Sequence, residues 1–98
     1  MEFDKFFTTY TNDLAASLRN LDIEIINQVC AKITAAGEAG HALYLFGNGG
    51  SSATPAHAAG DWGKTLGIRS YCLTDNTPFV TAVANDETYD EIFRAQLK

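Results

Sequence analysis

The stretch Ala42-Leu43-Tyr44-Leu45-Phe46-Gly47-Asn48-Gly49-Gly50-Ser51-Ser52 decides how the rest of the chain is read. Five apolar residues in a row, two of them aromatic, are too short for a helix and suit a strand buried on both faces. Three glycines then break the run within four positions and allow the backbone to turn and to approach a ligand closely. Beyond the break, the small residues and alanines of Ser52–Lys64 predict a helix, with Pro55 tolerated in its first turn. Arg69-Ser70-Tyr71-Cys72-Leu73 predicts a second strand, closed by the turn signal Thr74–Pro78. Strand, helix, strand in this order is a parallel βαβ unit, so the fold class is α/β.

Working outward, Phe3, Phe6, Phe7, Tyr10, Leu14 and Leu18 share one face of a helix. Asp22 reads as the N-cap of a second helix striped by Ile23, Ile26, Val29, Cys30 and Ile33 and ending near Gly37, with Gly40 closing the turn. This pair forms a segment 1–40 whose apolar stripes have no evident cover, and 41–98 carries the βαβ unit. At the far end, Phe79, Val80 and Val83, then Tyr89, Ile92, Phe93 and Leu97, predict two short helices separated by Asn85-Asp86. Two parallel strands do not make a sheet with both faces covered. The chain therefore reads as the first part of a larger α/β domain or as one that needs a partner.

Composition narrows the function. With 98 residues the chain holds one domain at most, and 46% apolar against 19% charged residues describes a folded protein rather than a disordered one. The net charge of −5, with the basic residues scattered, argues against direct nucleic-acid binding. No apolar run approaches the roughly 18 residues of a membrane span. Acids stand beside the amino terminus where a signal peptide has a basic region, so the expected location is cytoplasmic. Cys30 and Cys72 lack neighbouring Cys or His at metal-ligand spacing and read as buried thiols.

The glycine loop ahead of a helix is suited to a phosphate, because the first amides of a helix are unpaired and its amino end carries partial positive charge. Ser51 and Ser52 add hydroxyls there, although a plain βα turn with a capping serine explains part of the pattern. A Walker A loop fails, since no lysine occurs near the glycines before Lys64. The dinucleotide fingerprint also fails: Ser52 replaces its third glycine, and Asp75 lies well beyond the roughly 20-residue spacing of its acid. One turn into the helix, His57 and Asp61 stand four apart on one face, as an acid–base pair, two metal ligands or a plain surface contact. Trp62 reads as core or interface, and Asn85-Asp86 by spacing is a helix end.

Taken together, Leu45–Ser52, His57 ahead of Asp61, Cys72–Asn76 and Ala84–Tyr89 resemble the sugar isomerase (SIS) family, and within it the phosphoheptose isomerase branch. The resemblance runs along nearly the whole chain, against the first half of such proteins. It implies a flavodoxin-like parallel sheet flanked by helices, homotetramers with active sites shared between subunits, and helical segments at the amino end that build the assembly. It implies aldose–ketose isomerisation of sedoheptulose 7-phosphate to a manno-heptose 7-phosphate through an enediol, a step toward nucleotide-activated heptose for lipopolysaccharide. By position, Asn48, Gly49, Gly50, Ser51, Ser52 and Asp86 then contact the sugar phosphate. Asp61 takes the place of the family's catalytic glutamate, and His57 that of a zinc-binding histidine, so His57 and Asp61 are the catalytic and metal candidates and zinc the candidate cofactor. Asp61 is one methylene shorter than that glutamate. The family's second Ser/Thr-rich loop and carboxy-terminal histidine have no counterpart up to Lys98, and His41 sits at the wrong end of its strand to replace the latter. The rival expectation is a non-catalytic SIS protein that binds phosphosugars or a replication initiator.

Overall fold

The computed structural model describes residues 2–98, which divide into two compact units, one up to Ala31 and the other Lys32–Lys98. In the first unit, α1 (Phe3–Arg19) follows from its aromatic and leucine stripe. Phe3 stacks on Phe7 and Phe6 on Tyr10, with ring centroids 6.1 and 6.0 Å apart. The α2 helix (Ile23–Glu38) starts where expected, the Asp22 carboxylate accepting from the Glu24 and Ile25 amides at 3.0 and 3.2 Å. Neither helix has a buried residue. Cys30 is exposed, against the sequence expectation, because the apolar neighbours meant to bury it (Ile26 and Val29) are themselves exposed.

The last two turns of α2 fall in the second unit, where Gly37 lies so close to Ile68 that a Cβ would stand 2.9 Å from Ile68 Cγ1. Gly40 then takes φ of 72° and closes the turn as predicted. The βαβ unit is present: β1 (Leu43–Leu45), a 3-10 turn at Gly49–Ser52, α3 (Ala53–Leu66) and β2 (Ser70–Cys72). The strands pair in parallel, Leu43 with Ser70, Tyr44 with Tyr71 and Leu45 with Cys72. The Gly67 residue ends α3 at φ 66°.

Burial departs from the expectation of strands covered on both faces. Leu43, Leu45 and Cys72 are half-buried or buried, whereas Tyr44 and Tyr71 on the opposite face are 52% and 50% exposed and stack on each other at 5.8 Å. A run of five apolar residues cannot distinguish one covered face from two. The core comprises Ala59 of α3, Cys72 and Leu73 at the end of β2, Val83 and Ile92. Cys72 is the buried thiol that was expected.

The α4 helix (Thr77–Asp86) is capped by Asn76, whose Oδ1 accepts from the Phe79 amide at 3.3 Å. Asn85 and Asp86 form its last turn rather than a break between two helices. The second predicted helix is instead two 3-10 segments, Tyr89–Glu91 and Arg94–Leu97. Their side chains are tied to the strand ends, as described next, and those ties override the helical period. No helix among the described residues is long and apolar enough to cross a membrane.

Candidate functional site

The loop Gly47–Ser52 leaves the carboxyl end of β1 and runs without a gap into α3. Its shape is enforced by close backbone approach. A Cβ on Gly47 would stand 1.9 Å from the Ser51 carbonyl oxygen, and Gly49 adopts φ of 53°. The Ser51 amide donates to the Asn48 carbonyl at 2.9 Å, and the Ser52 hydroxyl donates to the Gly49 carbonyl at 2.7 Å. The Ser52 proton thus serves the loop itself. Ser51 is exposed, and no hydrogen bond within the described residues engages its hydroxyl. From the end of β2, Thr74 donates to the Gly47 carbonyl at 2.9 Å, so the two strand ends are joined under the loop. Ligands of parallel α/β sheets bind at this carboxyl edge.

A residue that sequence reasoning passed over completes the loop. The Tyr89 hydroxyl donates to Asn48 Oδ1 at 2.6 Å across 41 positions of chain. The Phe93 ring packs against that of Phe46, tilted by 36° with centroids 4.8 Å apart, and Gln96 Nε2 donates to the Leu73 carbonyl at 2.7 Å. Residues 89–97 therefore run across the carboxyl ends of both strands. The available signal was the phenol at position 89, an apolar ring with a polar tip that seeks a partner when half-covered.

His57 and Asp61 meet as the helical spacing predicts, with Nε2 and Oδ2 3.1 Å apart. Their side chains are 81% and 62% exposed and line a surface concavity with Ala53, Thr54, Ala58 and Trp62. At 1.5 Å per residue they lie about 6 and 12 Å along α3 from its first residue. Asn48 lines a different concavity, with Tyr89, Asp90, Ile92 and Phe93. Asp86 lines neither; its carboxylate accepts from the neighbouring Asn85 amide at 2.9 Å. The fold thus joins Asn48 to Tyr89 and His57 to Asp61, and does not gather all the sequence candidates into one cavity.

An imidazole nitrogen and a carboxylate oxygen are zinc-type donors, but zinc takes about four ligands. Among the described residues no group of three His, Cys, Asp or Glu side chains is placed to hold a metal. His57 and Asp61 fit zinc in kind and fall short in number, so these residues by themselves do not form a zinc site.

A glycine loop between a parallel strand and the amino end of a helix, at the carboxyl edge of a sheet, defines the class: an α/β protein with a glycine-rich βα loop. The chain is 35% identical over 94 residues to a probable phosphoheptose isomerase of Thermoplasma acidophilum, a match covering 91% of this chain and 52% of that protein. It is 35% identical over 81 residues to the phosphoheptose isomerase of Aneurinibacillus thermoaerophilus and 33% identical over 81 residues to phosphoheptose isomerase 2 of Campylobacter jejuni. Each of these two matches covers 78% of this chain, and 41% and 40% of the respective relative. The chain is a homologue of phosphoheptose isomerases at 34–35% identity and spans about half the length of the curated relatives it matches. No family model matches it, and no solved structure matches it.

Proposed function

We propose that the complete protein isomerises a heptose phosphate, converting sedoheptulose 7-phosphate to a manno-heptose 7-phosphate for nucleotide-heptose and lipopolysaccharide synthesis in the cytoplasm. The observation that carries this reading is the identity to relatives named phosphoheptose isomerases over 78–91% of the chain. In this proposal Asn48, Ser51 and the Gly49 and Gly50 amides contact the sugar phosphate, Ser52 supports the loop, and Asp86 approaches the sugar hydroxyls. Asp61 removes the proton from C1 of the ketose while the C2 carbonyl oxygen gains one, giving the enediol. Return of a proton to C2 and loss of one from O1 complete the aldose. His57, hydrogen-bonded to Asp61, orients that carboxylate. His57 and Asp61 would supply two of the ligands of a zinc ion, which when bound would polarise the substrate oxygens. The proposal includes a flavodoxin-like sheet continuing from β1 and β2, and a homotetramer formed through the apolar stripes of α1 and α2.

One observation favours a second reading. The His57–Asp61 pair is largely open to water, whereas the loop is fully formed, which suits a phosphosugar-binding SIS protein without catalysis. The test is to incubate the complete protein with sedoheptulose 7-phosphate in deuterated water and follow products by NMR. Aldose formation with deuterium at C2 supports the isomerase. Binding without turnover supports the second reading, and absence of binding refutes both.

A further inference from the structure

We propose that Tyr89 is a positioning residue for ligand recognition: its hydroxyl holds Asn48 so that both Nδ2 hydrogens face outward to a ligand rich in acceptor oxygens. The inference rests on the phosphosugar reading of the loop and adds a residue to it. An asparagine amide has an acceptor face and a donor face, and rotation by half a turn exchanges them. A phosphate oxygen accepts and never donates, so only one of those two orientations serves it. Tyr89 donates to Asn48 Oδ1 at 2.6 Å, which occupies the acceptor and leaves the two donors.

Tyr89 is itself 57% exposed, and a surface hydrogen bond alone would hold little. The segment that carries it is fixed at three other points. Ile92 is 3% exposed, the Phe93 ring lies 4.8 Å from that of Phe46 immediately before the loop, and Gln96 donates to the Leu73 and Ile92 carbonyls at 2.7 and 2.9 Å. The phenol is therefore presented to Asn48 from a strap whose place is set by buried and part-buried contacts. The Asn48 side chain makes no capping bond to the turn that follows it, so its orientation is set from this strap.

The test compares Tyr89→Phe, Asn48→Ala and the double variant in the complete protein, each with two readouts. Tyr89→Phe keeps the ring and removes the donor. Its expected effect is a loss of affinity for sedoheptulose 7-phosphate of about three- to tenfold, seen as a raised KM with kcat unchanged. On the Asn48→Ala background the same change has no further effect, since Tyr89 acts only through Asn48. Additive losses, or a fall in kcat with KM unchanged, overturn the proposal. The second readout is NMR relaxation of the Asn48 side-chain NH2, with and without inorganic phosphate. An ordered amide in the parent protein that becomes mobile in Tyr89→Phe supports the positioning role, and equal order in both refutes it. This arm also separates the two failures: a parent protein that neither binds nor turns over the sugar phosphate sinks the isomerase reading, while the Asn48 amide still reports on Tyr89.

Discussion

Alanine substitution along the loop should give a graded series whose order follows from three different physical causes. At Gly47 the new Cβ would lie 1.9 Å from the Ser51 carbonyl oxygen and 2.7 Å from its carbon, both backbone atoms that no rotamer change can move. Relief requires the loop to open by more than an ångström, which endangers the Ser51–Asn48 backbone bond and the Thr74 bond to the Gly47 carbonyl. Two hydrogen bonds at about 1 kcal/mol each, with about 1–3 kcal/mol of overpacking, put Gly47→Ala at about 3–5 kcal/mol. At Gly49 nothing lies within 4 Å of a Cβ, and only the φ of 53° is unfavourable, a cost of about 1–2 kcal/mol. At Gly50 the space is open and φ is not positive. Alanine there is neutral or stabilises by about 0.4–1 kcal/mol, because it restricts the unfolded chain. Urea denaturation of the three variants of the complete protein, with m values compared to exclude changes in the unfolded state, measures the series. A Gly47→Ala variant within about 1 kcal/mol of Gly50→Ala would refute the close-approach argument.

Other outcomes follow from the same geometry. Gly50→Ala should weaken sugar-phosphate binding despite its intact stability, because a methyl group stands where the ligand nears the backbone; calorimetry with unchanged affinity would place the ligand elsewhere. Ser51→Ala should lower affinity about three- to tenfold with no change in melting temperature, since its hydroxyl serves no bond within the described residues. Asp61→Asn should reduce turnover by about a hundredfold or more while the fold is retained, and full activity in that variant removes Asp61 as the base. Glutamate at both Phe7 and Leu14, which are 55% and 48% exposed, should shift the protein to a smaller species by light scattering; an unchanged mass would mean α1 is not an assembly surface.

The βαβ unit and its loop were legible because they are written locally: a short apolar run, glycines at the break, then alanines and a second apolar run. The Asp22 cap and the Gly40 turn belong to the same local grammar. Misreadings came where the outcome depended on distant parts of the chain. Tyr89, Ile92, Phe93 and Leu97 keep a helical period, yet the contacts of Tyr89, Phe93 and Gln96 with the strand ends hold the segment as two 3-10 turns. Cys30 has apolar neighbours in sequence, which says nothing of whether those neighbours are covered. Tyr89 was hidden for a related reason, since in a stripe of apolar residues a tyrosine reads as packing until its hydroxyl is seen to reach Asn48.

On the proposed function, binding and turnover rest on different footings in this molecule. The loop is held by Gly47 against Ser51, by Thr74 beneath and by Tyr89 beside it, so its donors are set before any ligand arrives. Preorganised donors keep their advantage even when partly wet, because little ordering remains to be done on binding. The His57–Asp61 pair gains nothing comparable from helical spacing alone. With 62% of its side chain exposed, Asp61 stands in an environment where water screens charge and competes for its oxygens. Efficient proton abstraction asks for exclusion of that water. Substitutions in the loop should consequently register as affinity, and any change that covers or uncovers the outer face of α3 should register as rate. An additive that raised kcat while leaving KM fixed would locate that cover on the face of His57, Asp61 and Trp62 if a bulky substitution at Thr54, which lines the same concavity, abolished its effect.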